Sequence, residues 1–443
     1  MANTKTIVED KKVIRGWCMY DWANSVYSLS IATAIFPIYY NNITSQGGTS
    51  VMFMGMQMKN TALYSYAISF AFLFIALVSP LLSGIADFKN NKKFFMKMFC
   101  ITGSLSCMML AFFNDKSTLW IGIVFFVLST IGYAGSIVFY NAFLPEICNR
   151  ENQDKVSARG FSLGYIGSTI LLIVNLAIIM LNDSYHFVGG SIPARLSFVM
   201  VGLWWLIFGY YSFSRLPGSS AGFKIESSAL FHGYRELAKV FRELKGLNYL
   251  KVFLFSFFLY NMAVQTVMYI ASLFGKAEIK DDNGVPMNDS LLIVTILIIQ
   301  LVGIVGATLF SRLSANIGNI RTLLINLVVW VLVCMLAYYT YKPFSFIALA
   351  FLVGMVMGGV QALSRSTYSK MLPHQNDNAS YFSFYDVCDR LGTVLGTLIY
   401  GLLDQITGSM RMSIFAIALF FVIGIIGLLR LDKITSRAKI ILH

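Results

Sequence analysis

Charge is scarce in this chain. Asp, Glu, Lys and Arg make up 12% of its 443 residues, about half the quarter that is ordinary for a soluble domain. In their place the sequence is 57% hydrophobic and 15% aromatic, which excludes a water-soluble globule and points to an integral membrane protein. Histidine is scarcer still: His186, His232, His374 and His443 are too few and too dispersed for a metalloenzyme site. The six cysteines stand singly at 18, 100, 107, 148, 334 and 388. None has metal-ligand spacing, so they read as packing residues and no metal is expected. No G-x-x-x-x-G-K-[ST] segment occurs, which rules out ATP as direct energy source through that motif, and no cofactor is expected. The first sixteen residues are polar and no small-residue cleavage site follows, so no cleavable signal is expected.

What the sequence does have is long apolar runs. About 20 apolar residues cross a bilayer as a helix, and the runs predict twelve spans, at 17–41, 61–86, 95–113, 118–144, 160–181, 196–214, 249–274, 290–311, 322–341, 343–364, 381–403 and 412–430. The eleventh has Asp386, Asp389 and Arg390 in its first turns. An even number of spans puts both termini on one side, and the loops of that side hold 24 Lys and Arg against 7 on the other. Cytosolic loops concentrate these residues, so both termini are expected in the cytosol of a multi-pass cell-membrane protein. The net charge of +13 then follows from topology and anionic lipid headgroups, with no nucleic-acid partner needed.

The longest loop on that side follows the sixth span. It divides the chain into an N-terminal six-helix bundle (1–215), a linker (216–248) and a C-terminal six-helix bundle (249–443). In the linker, Phe231, Tyr234, Ala238 and Phe241 fall at helical spacing among Arg235, Lys239, Arg242 and Lys245. That pattern suits an amphipathic helix on the membrane surface and, equally, a solvated linker helix. Short matches recur six spans apart: Leu144-Pro145 with Leu372-Pro373, Phe161-Ser162 with Phe382-Ser383, and Tyr20-Asp21-x-Ala23 with Tyr260-Asn261-x-Ala263. Duplication of a six-helix unit accounts for them.

With these features the sequence resembles the major facilitator superfamily. "SGIADFKNNKK" between spans two and three is similar to its loop signature, with Gly84, Asp87, Lys92 and Lys93 in place. The corresponding loop "SRLSANIGNIRT" keeps Gly318 and Arg321 but has Ala315 where the aspartate would be. "YDWANSVY", "FYNAFLPEI", "SARGFSLGYIGS" and "FLYNMAVQTVMYIASLFG" resemble the autophagy-related vacuolar effluxer-like branch. Its eukaryotic members are associated with release of amino acids from the vacuole. The resemblance implies a secondary transporter, not an enzyme, that moves a small polar solute, amino acids included, by alternating access coupled to protons or another ion. Relatives tend to have an acidic residue and a glycine where this chain has Met262 and Ala263. If that acid helps coupling in the branch, coupling here differs or rests on Asp21. A lipid scramblase, a sensor and a polytopic membrane enzyme are the alternatives from other classes.

Ionisable groups inside a membrane face a cavity or a partner, and the resemblance implies that helices one, four, seven and ten line the central pathway. Asp21, Asn24 and Ser28 share one face of helix one. Helix four offers Tyr133, Tyr140 and Asn141; helix seven Asn261, Gln265 and Met268; helix ten Gln361, Ser364 and Arg365. These groups suit a zwitterionic or polar solute; the plainer reading is that they bond neighbouring helices. Asp21 lies five residues past Gly16, about a turn and a half into the expected span. Three roles compete for it: a cytosolic gate paired with Arg159 or Arg390, a site for a proton or a substrate ammonium, and a helix-start anchor. Tyr20 and Asn24 are its expected hydrogen-bond donors. Asp87 with Lys92 and Lys93 is expected to bridge helix ends, or simply to orient the span. Glu146, Arg159, Asp386, Asp389 and Arg390 are expected at cytosolic helix ends, exchanging ion pairs as the halves rock.

Overall fold

A computed structural model describes residues 9–45, 50–88, 91–185, 189, 191–218, 227–285, 287, 289–373, 378–407 and 410–437. Backbone groups in lipid must be satisfied within their own segment, and each apolar run is accordingly helical. Helix α1 (Lys11–Val26) continues through a π-helical stretch, Tyr27–Ala34, into α2 (Ile35–Thr44). Pro37 explains the wide turn. It has no N–H to donate, and its ring crowds the carbonyl four residues back, at Thr33.

A hairpin of β1 (Ser50–Phe53) and β2 (Met56–Lys59) follows, a short addition to the expected all-α membrane fold. Ser50 pairs with Lys59 and Phe53 with Met56. The turn residues Met54 and Gly55 both have positive φ, 50° and 80°, as a tight two-residue hairpin demands. The chain then runs through α3 (Asn60–Phe88), α4 (Lys92–Met109), α5 (Leu119–Ala142), the single turn α6 (Leu144–Ile147), α7 (Gln153–Tyr185), α8 (Ile192–Phe213) and α9 (Ser227–Gly246). It continues through α10 (Asn248–Glu278), α11 (Asp289–Ile317), α12 (Asn319–Tyr338), α13 (Pro343–Met371), α14 (Asn378–Thr407) and α15 (Met410–Arg437).

Twelve of these passages are the spans: α1 with α2 as the first, then α3, α4, α5, α7, α8 and α10 to α15. Among the described residues, ten are unbroken helices long and apolar enough to cross a membrane. The first is divided at Tyr27, and α14 carries Asp386, Asp389 and Arg390 close together. Several helices outrun their apolar windows: α1 starts at Lys11 rather than 17, α7 at Gln153 rather than 160, and α13 ends at Met371 rather than 364. The polar residues at the interface continue the helical hydrogen bonding there.

In the first half α1 packs on α7 and α8, α4 on α5 and α8, and α3 on α5; in the second α10 packs on α14 and α15, α11 on α13, and α12 on α13 and α15. The halves meet where α3 and α5 touch α14 and where α7 touches α11 and α13. Large side chains such as Phe70, Leu77, Ile207 and Leu419 stay exposed along the outer faces, as lipid contact requires. The α9 helix docks against α3, α10 and α14: the Tyr381 hydroxyl donates to Glu243 at 2.7 Å and Phe241 stacks on Phe384. The side chains of Phe231 and Tyr234, invoked for the amphipathic face, lie outside the described residues.

Candidate functional site

Asp21 sits ten residues into α1, about 15 Å along its axis, deeper than the sequence places it because the helix begins at Lys11. Its Oδ2 accepts a hydrogen bond from the Tyr140 hydroxyl of α5 at 2.7 Å and faces both amino nitrogens of Arg365 of α13 at 3.4 Å. Arg365 is anchored independently. Its Nε donates to the Ser157 hydroxyl at 2.9 Å and its Nη2 to the Ser157 carbonyl at 2.8 Å, on α7. Its guanidinium lies over the rings of Phe161 at 4.0 Å, Trp17 at 4.8 Å and Tyr140 at 5.4 Å. Asn141 Oδ1 stands at the edge of bonding distance from it, 3.5 Å. Trp17 stacks on Tyr140 at 4.4 Å and donates to its carbonyl.

The cation facing Asp21 in this conformation is therefore Arg365, not Arg159 or Arg390, and the hydroxyl is that of Tyr140, not a group of Tyr20 or Asn24. Arg159 is exposed, because the residue α7 presents to Asp21 is the next one, Gly160. A methyl group there would lie 2.5 Å from Asp21 Oδ2 and 3.1 Å from the Tyr140 hydroxyl. Only a glycine allows this approach.

A second charged cluster lies within the second half. Asp386, Asp389 and Arg390 sit eight, eleven and twelve residues into α14, not at its end, and in this conformation they pair with one another within the second half. Arg390 bridges Asp386 Oδ1 at 3.2 Å and Asp389 Oδ2 at 3.1 Å. Asp389 Oδ1 also accepts from Asn261 at 2.6 Å and Gln265 at 3.0 Å, both on α10. The first half contributes Phe72 of α3, whose ring lies 5.3 Å from the Arg390 guanidinium. Tyr133 of α5, ring to ring with Tyr27 at 5.3 Å, is within electrostatic reach of both clusters through Asp21, Asp389 and Arg390.

The other expected pathway groups have separate places. Gln361 accepts from Tyr165 of α7 at 2.6 Å, across the halves, and Asn24 is buried on α1. An apolar void of about 50 Å³ inside the second half, lined in part by Thr266, Phe274, Phe346 and Tyr400, includes none of them.

A third layer joins the halves at the face bearing both termini. Asp87 pairs with Lys92 at 3.2 Å and accepts the backbone N–H groups of Ala379 and Ser380 at 3.2 and 2.7 Å. The loop acid of one half thus caps the N-terminus of α14 in the other, where the helix dipole favours an anion. Glu146 pairs with Lys92 and accepts from Asn378 at 3.2 Å. Lys93 takes no part in this bridge; its Nζ donates to the Leu216 carbonyl at the start of the linker.

On the pseudo-symmetric side, Asp154 in the first turn of α7 pairs with Lys370 at 2.5 Å, and accepts from Asn319 at 2.8 Å and Ser314 at 3.3 Å. Arg150 donates to the Leu372 carbonyl at 2.8 Å. Sequence reasoning missed Asp154 and Lys370. The signal was the loop with Ala315 in place of an aspartate: the missing acid arrives from the other half. Outside the spans, Glu9 accepts from the Asn149 amide at 2.8 Å and from Asn152 at 2.9 Å. These bonds, that of the Asn152 side chain first, hold its carboxyl below the usual range.

The chain can now be placed among known proteins. The family described as "Vacuole effluxer Atg22 like" matches residues 9–440. The uncharacterized MFS-type transporter YxiO of Bacillus subtilis (strain 168) is 31% identical over 421 residues, 95% of each chain. Autophagy-related protein 22 of Vanderwaltozyma polyspora is 23% identical over 492 residues, 95% of this chain and 91% of its own. Among solved structures, the major facilitator transporter FucP in the outward conformation aligns with a TM-score of 0.67 at 12% identity, covering 95% of this chain and 97% of that one. A bacterial homologue of the iron transporter ferroportin in its outward-facing state gives 0.66 at 12%, covering 95% and 98%; at such identity these two speak for the fold alone. Two six-helix bundles, a matching family over nearly the whole length and a relative above 30% identity lead to one assignment: the chain belongs to the Atg22-like vacuole effluxer family of the major facilitator superfamily.

Proposed function

We propose that this protein is a secondary active transporter of the cytoplasmic membrane, with both termini in the cytosol, and that it moves a small polar solute by alternating access driven by an ion gradient. Amino acids are the solute class that the family resemblance and the polar and aromatic groups around Asp21 favour. The halves 1–215 and 249–443 are the rocking units, tied by the linker 216–248. The observation that carries this reading is the buried Asp21–Arg365 contact, 3.4 Å across the two halves. An ion pair closed over a buried interface holds one state, and releasing it lets the halves part. Tyr140, Asn141 and Tyr133, with Asn24, Asn261, Gln265 and Gln361, stand in separate contacts in this conformation and are the groups assigned to the solute pathway once the halves part. Asp87, Lys92 and Glu146, with Asp154 and Lys370, form the outer cytosolic gate. The sidedness of the loop charges supports a cytosol-closed state here.

Uptake of a panel of labelled amino acids into proteoliposomes containing the purified protein tests the reading. Saturable uptake of at least one of them, strongly reduced in Asp21→Asn with folding preserved, is the expected result. Uptake equal to that of empty liposomes throughout would reject amino acids as the class, and lipid flipping without solute flux would replace the transporter with a scramblase.

A further inference from the structure

The cluster on α14 is not balanced in charge. It holds two carboxylates and one guanidinium, and the hydrogen bonds distinguish the two acids. Asp389 is satisfied as an anion, with two side-chain amides on Oδ1 and Arg390 on Oδ2. Asp386 shares the same guanidinium through Oδ1 alone. Its Oδ2 is buried and meets no donor, and Arg390 Nε is also unpartnered. The Asp386 residue is only 2% exposed.

The surroundings do not restore the balance. Of the elements packed against α14, α5 offers Tyr133, α10 offers Tyr260 and Tyr269, and α3 offers Asp87, which is committed to Lys92 and the start of α14. Glu243 of α9 accepts from Tyr381. On α15, Arg411 is paired with Glu278, and Arg430, Asp432 and Lys433 lie at its C-terminal end. Arg365 of α13 is held by Ser157 and Asp21. Among the described residues, the charges acting on Asp386 are Arg390 and Asp389. A second anion without a compensating cation is not tolerated at such burial; a neutral acid is.

We propose that Asp386 is the group that binds the coupling ion and that the ion is a proton, carried on Oδ2 in the conformation described here. This rests on the transporter reading and adds to it the residue and the ion. The cycle balances simply. One proton binds to Oδ2 while the carboxylate is open to water on one side, and the same proton leaves to water on the other side when α14 moves against α3 and Arg390 is free to serve both acids.

Infrared difference spectroscopy of the full chain, reconstituted in phosphatidylethanolamine–phosphatidylglycerol vesicles and stepped between neutral and alkaline buffer, reads this without a substrate. The wild type should show the carbonyl stretch of a protonated carboxylic acid at neutral pH, lost in alkali. Asp386→Asn should lack the band and Asp386→Glu should shift its frequency. Asp389→Asn should lose it too, because Arg390 then serves Asp386 alone. If Asp386→Asn does not elute as a folded monodisperse protein, the shift in Asp386→Glu decides. No band in the wild type, or a band unchanged by these substitutions, overturns the proposal. A band erased by sodium at constant pH overturns it in favour of a sodium site. Since the readout needs no flux, its failure leaves solute uptake standing, and absent uptake leaves the band interpretable.

Discussion

At the scale of single residues, the central fact is that Asp21 and Arg365 are unequally dependent on one another. Without Asp21, Arg365 keeps the Ser157 carbonyl and hydroxyl and the faces of three aromatic rings. Without Arg365, Asp21 keeps one hydroxyl in a buried site. Removing one partner of a buried pair costs about 3–5 kcal/mol, whereas replacing both with neutral groups is often nearly neutral. Thermal melts in detergent should therefore rank Arg365→Met well below Asp21→Asn, with the double variant recovering most of the loss. Equal melting of all three would mean that the pair is not felt. Glu9 gives a pH dependence of definite sign. Its folded carboxyl is held low, so its stabilising contribution is full above the ordinary carboxylate range and disappears as the pH falls through the lowered value. Exchange of the Asn149 amide, corrected for its intrinsic pH dependence, should accelerate across that window in the wild type and show no such step in Glu9→Gln. The sequence made Asp21 conspicuous as a carboxylate in an apolar run. It could not reveal the partner, which is 344 residues away and is set by how α1 and α13 approach α7.

At the scale of elements, close approach decides the site. α7 reaches Asp21 through a glycine, and a methyl group at Gly160 has no space between Asp21, Trp17 and Tyr140. Overpacking of this kind costs about 1–3 kcal/mol. Gly160→Ala should lower the melting temperature and displace Tyr140 from Asp21, whereas Gly246→Ala, at the open end of α9 where nothing lies within 4 Å, should not. An unchanged melt for Gly160→Ala would show that α7 is free to move away. Element types and order were legible from apolar runs alone, because lipid leaves helices little competition. Three features were not. The π-helical stretch comes from Pro37 acting on the turn before it. The hairpin at 50–59 is too short to register against the long apolar runs. The extra turns at the terminus-bearing ends are polar and fall outside any hydropathy window. That last omission misplaced Asp21, which the sequence sets a turn and a half into its helix and the structure sets almost three.

At the scale of the whole molecule, the halves are held together at the terminus-bearing face by two related devices. In one, Asp87 caps α14; in the other, Asp154 enters the loop that lacks its own acid. Short matches six spans apart read as a duplication, and the departure at Ala315 falls in the loop that Asp154 enters from the other half. Ion pairs at the junction of the halves were expected, and Asp21, Asp87, Lys92 and Glu146 take part in them, but the cation facing Asp21 is not Arg159 or Arg390, since helix-end charges look alike until the halves are docked. Five of the six cysteines are buried, so the exposed positions Lys12 and Arg430 on the terminus-bearing face, and Asp115 and Lys342 on the opposite face, can be converted to cysteine in pairs and spin-labelled. The measurement that tests alternating access most directly is the distance within each pair, before and after Asp87→Asn is combined with Lys370→Met to weaken both devices. The account predicts that the Lys12–Arg430 distance lengthens while the Asp115–Lys342 distance shortens. Two distances that stay fixed, or that change in the same sense, would contradict it.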